Sequence, residues 1–203
     1  MILHNPLATI CIILAATHLT IFSTGRLTAD SLKPDRSIEF ADLAGQKYKP
    51  LAVPETKATV LFFLLPDCPN SNAYAPEIKR ICEIYDTKKV AAFIVHADPD
   101  VTVEIAKTHA RDYALPCPVL LDPSHRLVEF TGVTTAPEVA VISPEGKILY
   151  KGRIDDLFAD FGKRRPEPTR RDLREALDTI LAGKEVKITS TKAIGCPLPE
   201  PKK

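Results

Sequence analysis

The sequence predicts an α/β fold, a central mixed sheet flanked by helices with one extra strand and helix inserted before a final hairpin. Three observations predict it. Residues 58–66 (ATVLFFLLP) and 90–97 (VAAFIVHA) are continuous apolar runs of strand length, as parallel strands covered on both faces require. Segments with helical spacing follow each run, and alternating strands and helices build a parallel sheet. Near the end, two short apolar segments flank Pro144-Glu145-Gly146, a group of turn formers that closes a hairpin.

In chain order, residues 37–53 alternate weakly around Ala44-Gly45-Gln46, which predicts a short entry hairpin. The first buried strand ends at Asp67-Cys68. Ile78, Ile81, Cys82 and Tyr85 then recur at the spacing of one helical face, with Glu77, Lys79, Arg80 and Glu83 on the other, so a helix is expected over 70–85. After the second strand, 101–113 reads as a helix capped by Asp100. Residues 118–122 (PVLLD) form a third strand and 124–130 a short helix. The hairpin strands are 138–143 and 147–151. A last helix runs from Thr169, a good cap, through Leu173, Leu177, Ile180 and Leu181 to Gly183. No element is assigned to 155–168, where Asp155-Asp156 reads as turn and capping chemistry, or to the tail from 184 onward.

A chain of 203 residues, 45% of them hydrophobic, suits one domain with a sizeable core. Its net charge of +1 gives no broad electrostatic reason to expect nucleic acid as a partner. The opening differs from the rest: 7–22 (LATICIILAATHLTIF) is apolar and precedes Ser23-Thr24-Gly25, which reads as a secretory signal over 1–25. A membrane anchor through the N-terminus is the alternative. Export to the periplasm or another extracytoplasmic space allows stable disulfides. Outside the presumed signal the cysteines are Cys68, Cys82, Cys117 and Cys196.

Cys68 carries the chemistry. It follows the C-terminal end of a buried strand and opens the next helix, the edge where α/β sheets form sites and where helix amides favour a thiolate. Strand, Cys68-Pro69-Asn70-Ser71, helix, and later Thr135-Ala136-Pro137 before a hairpin together resemble the thioredoxin superfamily. The resemblance spans roughly 40–183. The segment 118–130 and the phrases DCPNSNAYAPEI, GRIDD, DFGKRR and Gly195-Cys196 are similar to exported bacterial redoxin-domain proteins of the peroxiredoxin-like branch. This divides the chain into a signal or anchor (1–25), a thioredoxin-like redoxin domain (26–185) and a tail bearing Cys196 (186–203).

The resemblance implies that Pro137 is a cis-proline lying against Cys68, and that Cys68 attacks a disulfide or a peroxide, with an external thiol as reductant and no cofactor. The pattern also departs from its relatives. Ser71 stands where a thioredoxin has its second cysteine, and Leu65 and Leu61 stand where a peroxiredoxin has threonine and proline. A peroxidase of this type needs an arginine near the sulfur, and Arg153 is the candidate. The rival reading is a copper-binding chaperone, for which Cys68 and His96 are the available ligands, or a redox-inert interaction module on the same fold.

The remaining cysteines are assigned by reach. Cys82 lies so far along the helix that about 20 Å separates it from Cys68, beyond bridging distance. Cys82 and Cys117, at the opposite edge of the sheet, are expected to form a structural disulfide. Cys196 is then left as the candidate resolving thiol, since the tail beyond Gly183 can extend about 40 Å and return across the domain; the alternatives are an intermolecular disulfide across a dimer and an external reductant acting on Cys68 alone.

Overall fold

The computed structural model describes residues 35–201, so the expected signal, Cys11 and the start of the expected domain lie outside the described residues. The elements are β1 (Phe40–Ala41), β2 (Lys47–Tyr48), β3 (Ala58–Phe63), α1 (Pro69–Ala73), α2 (Ala75–Asp86), β4 (Val90–His96), α3 (Val103–Asp112), β5 (Val119–Leu121), α4 (Arg126–Thr131), β6 (Thr135–Ala136), β7 (Glu138–Ile142), β8 (Ile148–Gly152), β9 (Phe158–Asp160), β10 (Lys163–Arg164), α5 (Asp172–Leu181) and β11 (Cys196–Pro197). The main sheet has the order β5-β4-β3-β7-β8. Its β3–β4 and β4–β5 pairs are parallel, and β3–β7 and β7–β8 are antiparallel.

The apolar runs are buried on both faces, which is why they do not alternate. Val60, Phe62 and Leu64 face one core with Ile94, Val139, Val141 and residues of α2, α3 and α5. Leu61 and Phe63 face the other, with Phe93, Val95, Leu120, Phe40 of the entry hairpin and Leu127 of α4. Polar contacts fasten α2 to α5: buried Glu77 accepts from Arg174 at 2.7 Å, and the Tyr85 hydroxyl donates to Asp178 at 2.8 Å.

Three expected elements differ. The helix over 70–85 is two helices, broken at Tyr74, because Pro76 has no N–H to continue the ladder and its ring crowds the carbonyl four residues back. Thr102 rather than Asp100 caps α3, accepting from the Ile105 amide at 3.3 Å. The last helix starts at Asp172, not Thr169, because Thr169 is bound to Asp156. Residues 155–168 hold the small β9–β10 hairpin.

Asp156 organises that region. It accepts from the Thr169 amide at 2.6 Å, the Arg170 amide at 2.8 Å and the Thr169 hydroxyl. Burial pushes its pKa up, but these bonds outweigh burial and bring it down to about 2. A depressed carboxylate stabilises the fold above its unfolded value of ~3.9 and loses that contribution as the pH falls towards 2. Asp156→Asn should therefore cost about 1–2 kcal/mol in urea unfolding at neutral pH. The gap between variant and parent should narrow when the same titration is run near pH 3.

The tail runs along β8. Lys151 donates to Thr189 at 2.9 Å and Thr191 donates back to Lys151 at 3.0 Å, so the tail extends the β8 edge. Gly152, at φ 147°, admits it, since a Cβ there would collide with Thr191. Among the described residues no helix is long and apolar enough to cross a membrane.

Candidate functional site

The register of β3 against β7 builds the site. Phe63 lies opposite Glu138, so the residues just after β3 and those just before β7 share one edge of the sheet. The Leu64–Cys68 turn therefore meets Thr135-Ala136-Pro137, and the Ala136–Pro137 peptide bond is cis. Buried Glu138 shapes the approach by accepting from the Thr134 amide at 3.0 Å and the Thr135 amide at 3.3 Å. Sequence reasoning missed Glu138, since one acid at the start of an apolar strand carries no signal of what it binds.

Cys68 directly precedes α1 and is only 1% exposed. Its sulfur lies 3.3 Å from the Ala136 carbonyl oxygen, in a small apolar cluster with Leu65 and Ala136 that Cys196 and Leu198 complete. Ser71, also buried, uses its hydroxyl to accept the Leu65 amide at 3.2 Å and so closes the turn around the sulfur.

The tail brings Cys196 here. β11 pairs antiparallel with β6, matching Cys196 to Ala136 and Pro197 to Thr135. Leu198 donates to Thr134 at 3.0 Å and Asn70 donates to Ile194 at 3.2 Å. Gly195 permits the close approach, because a Cβ would run into the Ala136 carbonyl and the Pro137 ring. The Cys196 sulfur ends 2.6 Å from that of Cys68 and donates to it.

The two thiols are electrostatically unequal. Burial pushes the Cys68 thiol up, but hydrogen bonds from Cys196 and Ser71 outweigh it, leaving Cys68 below an ordinary thiol. Burial, the bond to Cys68 and the charge on Cys68 push Cys196 up to about 11. Of the two, Cys68 is the more acidic thiol and Cys196 the less acidic.

Other expected residues lie elsewhere. Arg153 binds Asp172 through Nε at 2.7 Å and through its terminal nitrogen at 3.3 Å. Its guanidinium is thus engaged by the first turn of α5. His96 is corrected as a copper ligand beside Cys68: it is fully buried, and both ring nitrogens are engaged, Nδ1 with the Leu64 carbonyl at 2.9 Å and Nε2 with His109 at 3.2 Å. Among the described residues no group of three or more His, Cys, Asp or Glu is arranged for a metal. Cys82 and Cys117 are paired as a disulfide across 35 residues.

Comparisons with known proteins agree with this architecture. The crystal structure of an uncharacterized conserved protein from Geobacillus kaustophilus superposes with a TM-score of 0.68 at 22% identity, covering 84% of this chain and 93% of that one. A secreted Mycobacterium tuberculosis disulfide oxidoreductase homologous to E. coli DsbE superposes with a TM-score of 0.50 at 18% identity, covering 72% and 96%. Thioredoxin-like protein SkfH of Bacillus subtilis (strain 168) is 22% identical over 106 residues, 52% of this chain and 75% of SkfH. The solved structures share the fold, that of thioredoxin. The family model Redoxin matches residues 28–162, which contain the Cys68 loop, Pro137 and the whole main sheet, and on that match the chain belongs to the Redoxin family as a thioredoxin-like member.

Proposed function

We propose that the protein is a thiol-disulfide oxidoreductase of an extracytoplasmic compartment, acting through Cys68 and Cys196 on disulfide-bearing proteins. The observation that carries this reading is the 2.6 Å approach of the two sulfurs, made by a tail strand that docks against the cis-proline segment. The Cys82–Cys117 pair supports the compartment, since such bonds persist where the surroundings are oxidising. The similarity to a secreted disulfide oxidoreductase homologous to DsbE supports the reaction class.

The steps follow from the asymmetry of the pair. The Cys68 thiolate attacks one sulfur of the substrate disulfide, a mixed disulfide forms, and the other substrate sulfur leaves as a thiolate that takes up a proton. Cys68 has then lost its charge and its bond to Cys196, two of the causes that held the Cys196 thiol up. Cys196 ionises more readily and attacks the Cys68 sulfur, and the second substrate thiolate departs. Two electrons have passed to the substrate and the Cys68–Cys196 disulfide remains for an external dithiol to reduce. Because Cys68 is buried beneath β11, substrate enters only when that strand lifts.

The reading is tested by following alkylation of Cys68 against pH, with the modified peptide identified by mass spectrometry. The midpoint should lie below the ~8.5 of a free thiol. Cys196→Ala removes a hydrogen bond that lowers it, so the midpoint should move up even as the sulfur becomes more accessible. Mild oxidation of the parent with a small aromatic disulfide should yield a Cys68–Cys196 peptide. A parent midpoint at or above that of a free thiol, or absence of that peptide, would overturn the reading.

A further inference from the structure

Behind the Cys68 turn runs a chain of buried polar groups that disulfide exchange does not use. The Leu64 carbonyl faces His96 Nδ1 at 2.9 Å, His96 Nε2 faces His109 Nδ1 at 3.2 Å, and His109 Nε2 faces Asn72 Oδ1 at 2.8 Å. Asn72 in turn donates through Nδ2 to the Pro66 carbonyl at 2.8 Å, and its backbone amide donates to the Cys68 carbonyl at 3.1 Å. One end of this relay is thus fixed at Leu64, directly after β3, and the other at Pro66 and Cys68, further along the same turn.

Proton counting decides the state of the relay. The Pro66 carbonyl only accepts, so Asn72 must present its amino group there and its oxygen to His109. The Leu64 carbonyl and Asn72 Oδ1, at the two ends, are both acceptors. Three hydrogen bonds separate them and each needs a proton, while two neutral imidazoles carry only two. With two protons, one bond becomes a contact between two lone pairs. With three, every bond is made.

We propose that His96 and His109 together hold one extra proton, carried on His109, and that this cationic pair positions Asn72 and with it the turn bearing Cys68. His96, enclosed completely and held to Leu64 through Nδ1–H, is the neutral member. His109 sits at the open end, with its ring 5.0 Å from that of Tyr113. The charged groups around it are Asp112 on its own helix and Asp67 on the Cys68 turn, and both favour a cation. Burial opposes the charge at both rings, driving His96 down to about 4 and holding His109 below an ordinary imidazole, so of the two rings His109, with Asp112 and Asp67 beside it, is the place for the proton. The gain that offsets burial is the third hydrogen bond, since a buried polar atom left unpaired carries its full desolvation penalty. His96 and His109 are positioning residues, because they reach Cys68 only through Asn72 and the turn.

Nitrogen NMR of the histidine rings in the intact reduced protein tests the proton directly, whether or not the protein reduces disulfides. Near neutral pH His109 should show two protonated ring nitrogens, and His96 only Nδ1 protonated. Asn72→Asp places a carboxylate against His109 and should raise the pH at which that ring loses its proton. The positioning role is read from Cys68 alkylation between about pH 5 and 8, the range in which imidazole titrates. The parent should show a second, His-linked step that His109→Gln, which keeps a donor towards Asn72 but cannot titrate, abolishes. An unprotonated ring nitrogen on His109 throughout that range, or superimposable alkylation profiles for parent and His109→Gln, would overturn the proposal.

Discussion

Cys196→Ser should leave Cys68 able to attack a disulfide and unable to finish, so that the variant accumulates a mixed disulfide instead of turning over. The parent holds its second sulfur 2.6 Å from the first, whereas the variant must wait for an external thiol to diffuse in beneath β11. Oriented intramolecular partners act at effective concentrations far above any free thiol, so turnover should fall by about 100-fold or more. Cys68→Ser should abolish turnover completely, which separates the attacking sulfur from the releasing one. Gly195→Ala provides the third variant. Its methyl group would meet the Ala136 carbonyl and the Pro137 ring, so β11 cannot seat and Cys196 is displaced while its thiol is retained. This variant should alkylate faster at Cys68 yet form the Cys68–Cys196 bond more slowly. The measurements are turnover with a protein disulfide, intact mass after quenching with acid, and the rate of thiol labelling. Equal turnover in parent and Cys196→Ser would show that an external thiol resolves Cys68 and that the tail only covers it. A sulfenic acid on Cys68 formed rapidly by peroxide, with no reaction towards disulfides, would reassign the substrate.

The parts of this arrangement that were legible in the sequence are those fixed by local pattern. The run ATVLFF reads as a strand because burial on both faces leaves it no polar positions, and the place of Cys68 after it follows at once. Pro144-Glu145-Gly146 marks the β7–β8 turn because proline and glycine supply the backbone angles a turn needs, with Gly146 at φ 85°. What the sequence concealed are partners remote along the chain. His96, His109 and Asn72 come from β4, α3 and α1, and each alone reads as an ordinary polar residue. The Arg153–Asp172 pair was hidden because Asp172 stands at the start of a helix whose boundary depends on Thr169 binding Asp156 instead of capping. The break at Tyr74 had a visible cause in Pro76, but the buried positions Ser71, Tyr74, Ile78, Ile81 and Tyr85 keep helical spacing across it and hide the interruption. The docking of the tail was the least local feature of all: Gly195, Gly152 and Thr191 make sense only once the surfaces they approach are known.

The second large effect concerns stability at the opposite edge of the sheet. Cys82 lies on α2 and Cys117 just before β5, and the loop that their bond closes contains β4 and α3, one side of the main sheet. Closing a loop of 35 residues removes conformational freedom from the unfolded chain worth about 4 kcal/mol in the chain-entropy model. For a domain of this size each kcal/mol moves the melting temperature by about 2–4 °C, so the Cys82→Ser, Cys117→Ser double variant should melt about 8–16 °C below the parent. Adding reductant should bring the parent towards the variant and leave the variant where it is. The chemistry at Cys68 should be unaffected by the double variant, because Cys68 follows the C-terminal end of β3 whereas Cys117 precedes the N-terminal end of the parallel strand β5. Its alkylation midpoint against pH therefore serves as the control that the fold survives. The parent peptide map, made without reductant, should show Cys82 joined to Cys117 and neither thiol open to alkylation. Coincident melting of parent and double variant under oxidising conditions, or free labelling of both cysteines in the parent, would remove the disulfide from the account of stability and with it the argument for an oxidising compartment.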